Sequence, residues 1–335
     1  MPTVLDPQRF AGQVDGRTTG LYFLRNGSGM AVAITNVGAK IMQVQVPDRH
    51  GQPGDVALGY TSLQEVLAGS PSLGAFVAPY AGRIAGAQFT LGGQTYRLGA
   101  NEGPHCLHGG PRGSRHQVFN VVSHDDTALV LQLRMPAQET GFPSTLDLRL
   151  TYRLGQGNEL LIEHEATCEG APTPASFTSH GYFNLGFPGQ RTIDGHWLQV
   201  LADETLATTA DNVPTGERRA VAATALDLRQ PRALAEAGAF DHAYVLQPPA
   251  VQGQPRLCAR LGCEATGRVM ETWSTEPVMQ LYTGDKLGAP HGPRMGVCLE
   301  PQQYPNAPHC PAFPLNLMAP GRPYRAVTGY RFLIA

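Results

Sequence analysis

Two stretches of this 335-residue chain hold side chains suited to moving protons. In "VCLEPQQYPNAPHC" an apolar run, Val297, Cys298 and Leu299, leads straight into Glu300 and then Pro301. Proline removes a ladder donor, so the strand is expected to end there and leave Glu300 at its rim, a rigid mount for a general base. In "FTSHGYFNLGFPG" His180 lies between Ser179 and Gly181, just ahead of Tyr182, Phe183 and Asn184. Taken alone, His180 reads as a core histidine, a metal ligand or a proton donor facing a ligand. Its free pKa lies nearest neutrality of all side chains, which suits the last role.

Other clusters stand out against ordinary hairpin filler. In "APYAGRIAGAQF" Arg83 is flanked by Gly82 and Ile84; it is either a surface arginine or a guanidinium held by a small neighbour against a ligand oxygen. "EGPHCLHGGPRG" carries His105 and His108. A His-x-x-His pair on a helix would suggest a metal, but Pro104, Gly109 and Gly110 make this a loop or strand end, where glycine lets the backbone bring a histidine close to a ligand. "EAGAFDHAYVL" places Asp241 and His242 before an apolar strand, where an aspartate is either a strand-start residue or a carboxylate gripping vicinal hydroxyls.

The elements that must position these residues are strands. In "TLDLRLTYRL" Leu146, Leu148, Leu150, Tyr152 and Leu154 alternate with Asp147, Arg149, Thr151 and Arg153, the period of a half-buried antiparallel strand. "IMQVQV" sets Met42, Val44 and Val46 against Gln43 and Gln45, and "LQLRM" repeats the pattern over 131–135, so one face of the sheet is expected in water. Turn sequences at 25–29, 48–54, 91–94 and 155–158 predict hairpins. The best helix signal is "TSLQEVLAG", with a capping box from Ser62 and Glu65. The pattern predicts an all-β protein, a large antiparallel β-sandwich with few short helices, in a single domain over 1–335.

Composition narrows the class of partner. A 42% hydrophobic, 16% charged chain can bury a large core, while a formal net charge of −2 without a Lys/Arg block argues against nucleic acid or an anionic membrane. No apolar run is long enough to cross a bilayer as a helix, and the first twenty residues lack a signal-peptide pattern, so a cytoplasmic protein is expected. Six scattered cysteines, the closest being Cys258 and Cys263, lack CxxC spacing and read as buried reduced thiols.

With these clusters in hand, the chain resembles the aldose 1-epimerase (galactose mutarotase) family. The strings "GRIAGAQFTLGGQTYRL", "LHGG", "TSHGYFNLG", "PTGE", "FDHAYVL", "EPVMQLYTGD", "LEPQQYPNAP" and "PGRPYRAVTGYRF" look like that family's pattern in its order, over about residues 20 to 335. The resemblance implies a galactose mutarotase-like supersandwich that interconverts α and β anomers of free aldoses without metal or organic cofactor. It implies Glu300 as general base at the C1 hydroxyl and His180 as general acid at the ring oxygen. Arg83, His108, Tyr182, Asp241 and Gln280 match positions that contact the sugar, and Tyr182 with Phe183 would offer an apolar surface to the ring. The implied partner is a free monosaccharide, with the protein a monomer or homodimer. Two positions depart from the pattern: Gly82 where many members have Asn, and Gly181 where many have Ser, which puts the preferred aldose in question. Three other readings compete: a non-catalytic sugar-binding protein on the same fold, a sugar-phosphate epimerase using Arg83, Arg112 and Arg115, and a metal hydrolase built on His105, His108, His180, His242 and His309.

Overall fold

A computed structural model of the protein describes residues 4–70, 72–187 and 191–335; the first three residues, and Pro188 and Gly189 of the His180 stretch, lie outside them. The period-two stretch forms the strand Ser144–Gly155, which turns through 156–158 and pairs antiparallel with Glu159–Gly170 along its whole length. Leu146, Leu148, Leu150, Tyr152 and Leu154 are all buried while Arg149 and Arg153 stay exposed. Each such leucine taken from water contributes roughly 1.5–3 kcal/mol, so a Leu150→Asp change would undo the sheet's inner face.

This hairpin anchors a nine-stranded antiparallel sheet among the described residues. Asn120–His124 and Ala128–Met135 extend it on one side. On the other side the C-terminal strand Tyr324–Ile334 inserts between Glu159–Gly170 and Arg268–Ser274, followed by Arg256–Cys263, His196–Val200 and Arg232–Ala233. Two further antiparallel sheets stand out. A four-stranded one holds Leu21–Arg25, Ala31–Thr35, Lys40–Pro47 and Pro53–Asp55; a six-stranded one runs Tyr182–Phe183, Val297–Gln302, Val278–Tyr282, Asp241–Leu246, Ala202–Thr208, Pro214–Ala220. One apolar cluster joins all three, bringing Leu131, Leu148 and Tyr330 of the large sheet together with Val32 and Val44 of the second and Phe183, Met279 and Leu299 of the third. Sheets packed face to face over a shared core form a β-sandwich, as the alternation predicts.

Three expectations need correction. Gln43 and Gln45 are buried, not wet, and the amide of Gln43 donates to Asp55 Oδ2 at 3.1 Å. A bulge opposite Ala33 and Ile34 shifts the register at Met42, so Ile41 joins Val44 and Val46 in the main core while Met42 enters a second cluster with Tyr60 and Tyr182. The helix Leu63–Ala68 begins at Ser62, whose Oγ accepts the Glu65 N–H, but the Glu65 carboxylate turns back to the N–H and hydroxyl of Thr61 rather than to Ser62. Two four-residue helices, Ala137–Thr140 and Leu234–Ala237, are too short to print a 3.6-residue period. Finally, the strand bearing Glu300 does not end at Pro301 but runs from Val297 to Gln302.

Candidate active site

The six-stranded sheet sets out the site in rungs. Residues directly opposed on neighbouring strands share a face. One rung reads Tyr182, Cys298, Tyr282, Asp241 and the next reads Glu300, Gln280, Ala243. Pro301 is tolerated inside its strand because Tyr182–Phe183 pairs only with Val297 and Cys298, so that edge carries no ladder beyond them. The carbonyl of Leu299 on that edge is taken by the Tyr330 hydroxyl at 2.9 Å. The rungs form one wall of a cavity of about 240 Å³, small beside the ~300–1,000 Å³ typical of drug-sized ligands. Arg83, His108, His180, Tyr182, Asp241, Gln280 and Glu300, all seven expected site residues, line it.

His180 reaches the cavity from the segment preceding Tyr182. Its backbone N–H donates to Ala75 O at 2.8 Å and its carbonyl accepts from Gly74 N–H at 3.0 Å, which pins the chain on both sides. The ring stacks on Tyr182, centroids 5.0 Å apart, and meets His108 edge-on at 5.3 Å. Nε2 lies 3.7 Å from Glu300 Oε1, and Nδ1 lies 3.5 Å from Cys298 Sγ. Both partners of the first contact are buried, His180 at 7% and Glu300 at 2% side-chain exposure. Burial lowers His180 to a pKa of about 3, helped by the charges of Arg115 and Lys40. Burial also raises Glu300 well above the usual carboxylate range, with the charge of Asp241 adding to it. Neither group gains charge on its own here; Glu300 Oε2 has no hydrogen-bond partner among the described residues.

The remaining polar residues of the lining are braced by neighbours. Arg83, which lines the cavity, makes a two-pronged pair with Glu102, Nε to Oε2 at 2.6 Å and Nη2 to Oε1 at 2.9 Å. His108 has φ of +53°, and its Nδ1 accepts the Gly82 N–H at 3.2 Å. That bond assigns the ring hydrogen to Nε2, a donor. The pKa of His108 is held well below the histidine range, chiefly by burial, so the ring stays neutral. Asp241 accepts from Gln280 Nε2 at 2.7 Å and from Asn212 Nδ2 at 2.9 Å. Glu102 and Asn212, which orient two of the site's side chains, carry no signal of their own in the sequence, although Asn212 sits just ahead of the string "PTGE".

Two expected contributions fall elsewhere. Phe183 faces away from the cavity and is fully buried against Tyr330, ring centroids 4.8 Å apart. The same alternation turns position 181 inward: a Cβ on Gly181 would meet the Phe183 ring at 3.0 Å, so a serine there presses on the core instead of reaching a ligand. Gly82 does line the cavity, with φ of +79°, and a Cβ there would come within 2.7 Å of Pro305 Cβ. Next to it the buried amide of Gln302 has neither Nε2 nor Oε1 hydrogen-bonded among the described residues.

The five-histidine metal reading does not converge. His105 pairs with Asp211 at 2.6 Å, and His309 Nε2 bonds Gln88 O at 2.7 Å. The single grouping compact enough for an ion among the described residues is His180, Cys298 and Glu300, within 4.8 Å of one another. Its short contacts reach different ring nitrogens, the thiol at Nδ1 and the carboxylate at Nε2, and burial drives both the thiol and the carboxylate toward their uncharged forms. That donor set is a poor fit for one cation.

Residues 20–331 match the family model described as Aldose 1-epimerase. The chain belongs to the aldose 1-epimerase family. The galactose mutarotase of Sus scrofa is 36% identical over 322 residues, covering 91% of this chain and 92% of that protein. The aldose 1-epimerase of Escherichia coli K12 is 30% identical over 339 residues, 95% of this chain and 96% of its own. A solved structure of an aldose epimerase homologue from C. elegans superposes with a TM-score of 0.90 at 28% identity, covering 95% of this chain and 99% of that one. The family's fold is therefore the β-sandwich described above, and no helix among the described residues is long and apolar enough to cross a membrane.

Proposed function

We propose that the protein is an aldose 1-epimerase that interconverts the α and β anomers of free aldohexoses such as galactose and glucose. The observation that carries this reading is the His180–Glu300 pair, an imidazole and a carboxyl group 3.7 Å apart, both buried and both lining a cavity of about 240 Å³. Opening a pyranose requires a proton to leave the C1 hydroxyl and another to reach the ring oxygen. In our scheme the Glu300 carboxylate takes the first and the His180 imidazolium delivers the second through Nε2, giving the open aldehyde, a neutral carboxyl and a neutral imidazole. The C1–C2 bond turns by half a revolution. His180 then removes the proton from the C5 hydroxyl as O5 attacks C1, and Glu300 returns its proton to the new anomeric oxygen. Each transfer contributes about 10²–10⁴-fold. Arg83, His108 and the Gln280–Asp241 pair hold the sugar's other oxygens, and Tyr182 backs the ring.

The cavity favours a neutral sugar over its phosphate. Arg112 is committed to Glu139 at 3.0 Å, and Arg115 to Ser72 Oγ at 2.7 Å and Leu107 O at 3.2 Å. The cations at the wall are Arg83, already paired with Glu102, and Lys286, against the carboxyl groups of Glu102, Asp241 and Glu300. Glu102 and Asp241 already balance these two cations, so the lining offers a dianion no net positive charge. We place the protein in the cytoplasm, in keeping with six buried free thiols. Polarimetry on freshly dissolved α-D-galactose and α-D-glucose tests the function. A rate that stays at the buffer value for every common aldose removes the proposal, and calorimetric binding without acceleration would favour a non-catalytic sugar-binding protein instead.

A further inference from the structure

We propose that Cys298 is a positioning residue for His180: its neutral sulfur accepts the Nδ1–H and fixes the tautomer whose bare Nε2 faces Glu300. The inference rests on the reading of His180 as the group that exchanges a proton with the ring oxygen. It begins with what stacking leaves undecided. Tyr182 lies against one face of the His180 ring at an interplanar angle of 27°, and the His108 ring meets it at 77°. These contacts fix the plane of the imidazole but not a half-turn about its Cβ–Cγ bond, which would carry Nδ1 and Nε2 away from their present partners. A directional contact at the ring edge has to decide between the two.

The strand Val297–Gln302 supplies that contact. Cys298 and Glu300 are two residues apart and so share a face, and they bracket the ring, Sγ 3.5 Å from Nδ1 and Oε1 3.7 Å from Nε2. The carbonyl of His180 itself accepts from Gly74 N–H at 3.0 Å and has a second lone pair within reach of the ring; a bond to it would favour the same Nδ1–H tautomer, so the Cys298 variants are what isolate the share of the sulfur. In the proton cycle Nε2 alternately holds and releases its hydrogen, so Nδ1 must keep its own throughout and needs an acceptor that does not itself change charge. A carboxylate in that place would hold the imidazolium and oppose the return step. Cys298 is fully buried, and burial raises its thiol well above the ordinary cysteine range, so it remains a neutral, weak acceptor. The charged and titratable groups facing His180 from the surrounding elements are Glu300, Tyr182, His108, Arg115 and Lys40; Glu300 Oε1 is the one in contact with Nε2, at 3.7 Å.

The test uses the full chain, wild type and the variants Cys298→Ala and Cys298→Ser, labelled with ¹⁵N-histidine. Long-range ¹⁵N–¹H correlation spectra read which ring nitrogen of His180 carries the hydrogen, and polarimetry gives kcat, KM and their pH profiles. Expected are an Nδ1–H tautomer in the wild type and its loss or mixture in Cys298→Ala. In that variant kcat should fall by about five- to tenfold, the worth of one neutral hydrogen bond, with KM unchanged and the acid limb of the profile displaced. Cys298→Ser, which restores an acceptor, should recover both tautomer and profile. An Nε2–H tautomer in the wild type, a Cys298→Ala protein with the wild-type spectrum and profile, or a serine variant as impaired as the alanine one would each overturn the inference. A wild-type protein that leaves anomerisation at the buffer rate but shows the Cys298-dependent tautomer would remove the function proposed above and leave the hydrogen bond standing.

Discussion

Glu300→Gln is the substitution that bears most directly on the proposed chemistry. It keeps the shape of the side chain and the pairing of Glu300 with Gln280 across the sheet, but leaves an amide that cannot take a proton from O1. Loss of a general base typically costs about 10²–10⁴-fold. A second effect follows from the geometry. At the 3.7 Å separation of Oε1 and Nε2, a carboxylate stabilises an imidazolium by about 4.5 kcal/mol at an effective dielectric near 20. Without it His180 loses its charged form as well, a penalty of about three decades in rate. The two effects overlap, because one missing proton acceptor disables one coupled step, so we expect turnover to fall by about 10³-fold or more. Sugar binding, held by Arg83, His108 and Asp241, should change by less than about tenfold. Polarimetry corrected for the buffer rate gives the first quantity and calorimetry with galactose the second. A Glu300→Gln protein within about tenfold of wild-type turnover would refute the assignment of base and the coupling argument together.

Because His180 and Glu300 exchange protons as a unit, the double variant His180→Asn/Glu300→Gln should be no slower than the worse single variant, and full multiplicative loss by polarimetry would contradict that coupling. With His180 lowered to about 3 and Glu300 raised, the one-proton form of the pair spans neutrality, so the acid limb of kcat/KM should lie well below pH 6.5; Asp241→Asn, which removes a charge that raises Glu300, should move the alkaline limb to lower pH in the same profile. Gly82→Asn places a Cβ 2.7 Å from Pro305 Cβ in a conformation asparagine tolerates, so we expect a KM for galactose altered by about fivefold or more with kcat changed far less, and unchanged KM would show that this wall does not touch the sugar. His164, buried among Phe76, Phe177 and Tyr324, is lowered to about 3; the unfolded chain binds its proton near pH 6.5 and the folded one does not, so stability is lost as pH falls through that window at about 1.4 kcal/mol per unit. Urea midpoints between pH 6.5 and 4.5 should fall less steeply for His164→Phe than for the wild type, and parallel slopes would place the acid sensitivity elsewhere.

The strands were legible where one face is core and the other water, as in 144–155, because alternation records that difference directly. It failed at 41–46, where both faces are covered and a bulge at Met42 resets the register, an event specified by the partner strand rather than by the residues themselves. Pro301 misled for a related reason: proline forbids a ladder bond, but whether one is needed depends on how far the neighbouring strand reaches, and that strand is two residues long. Residues whose types carry chemistry, Glu300, His180, Arg83 and Asp241, could be singled out in the chain. The groups that aim them could not. Glu102, Asn212 and Cys298 act through pairings that only the folded sheet and its loops create, and Gly181, expected to bear on the sugar, sits where a side chain would press on the Phe183 ring.

The burial that opposes the charge of each group alone also suits the reaction. An isolated carboxylate or imidazolium in this cavity is costly, which is why the pKa of Glu300 rises and that of His180 falls. Mutarotation, however, consumes no net proton. Between them the two groups hold one proton at every stage, as an ion pair before ring opening and as two neutral groups beside the open aldehyde. Burial therefore raises the energy of the ion pair relative to the neutral state, drawing the closed sugar toward the open one, while the 3.7 Å contact limits that cost by letting each charge answer the other. A more distant pair would leave each charge uncompensated. The separation and the burial have to be set together, and one strand carrying Glu300, paired through Cys298 to the Tyr182 strand that follows His180, sets both.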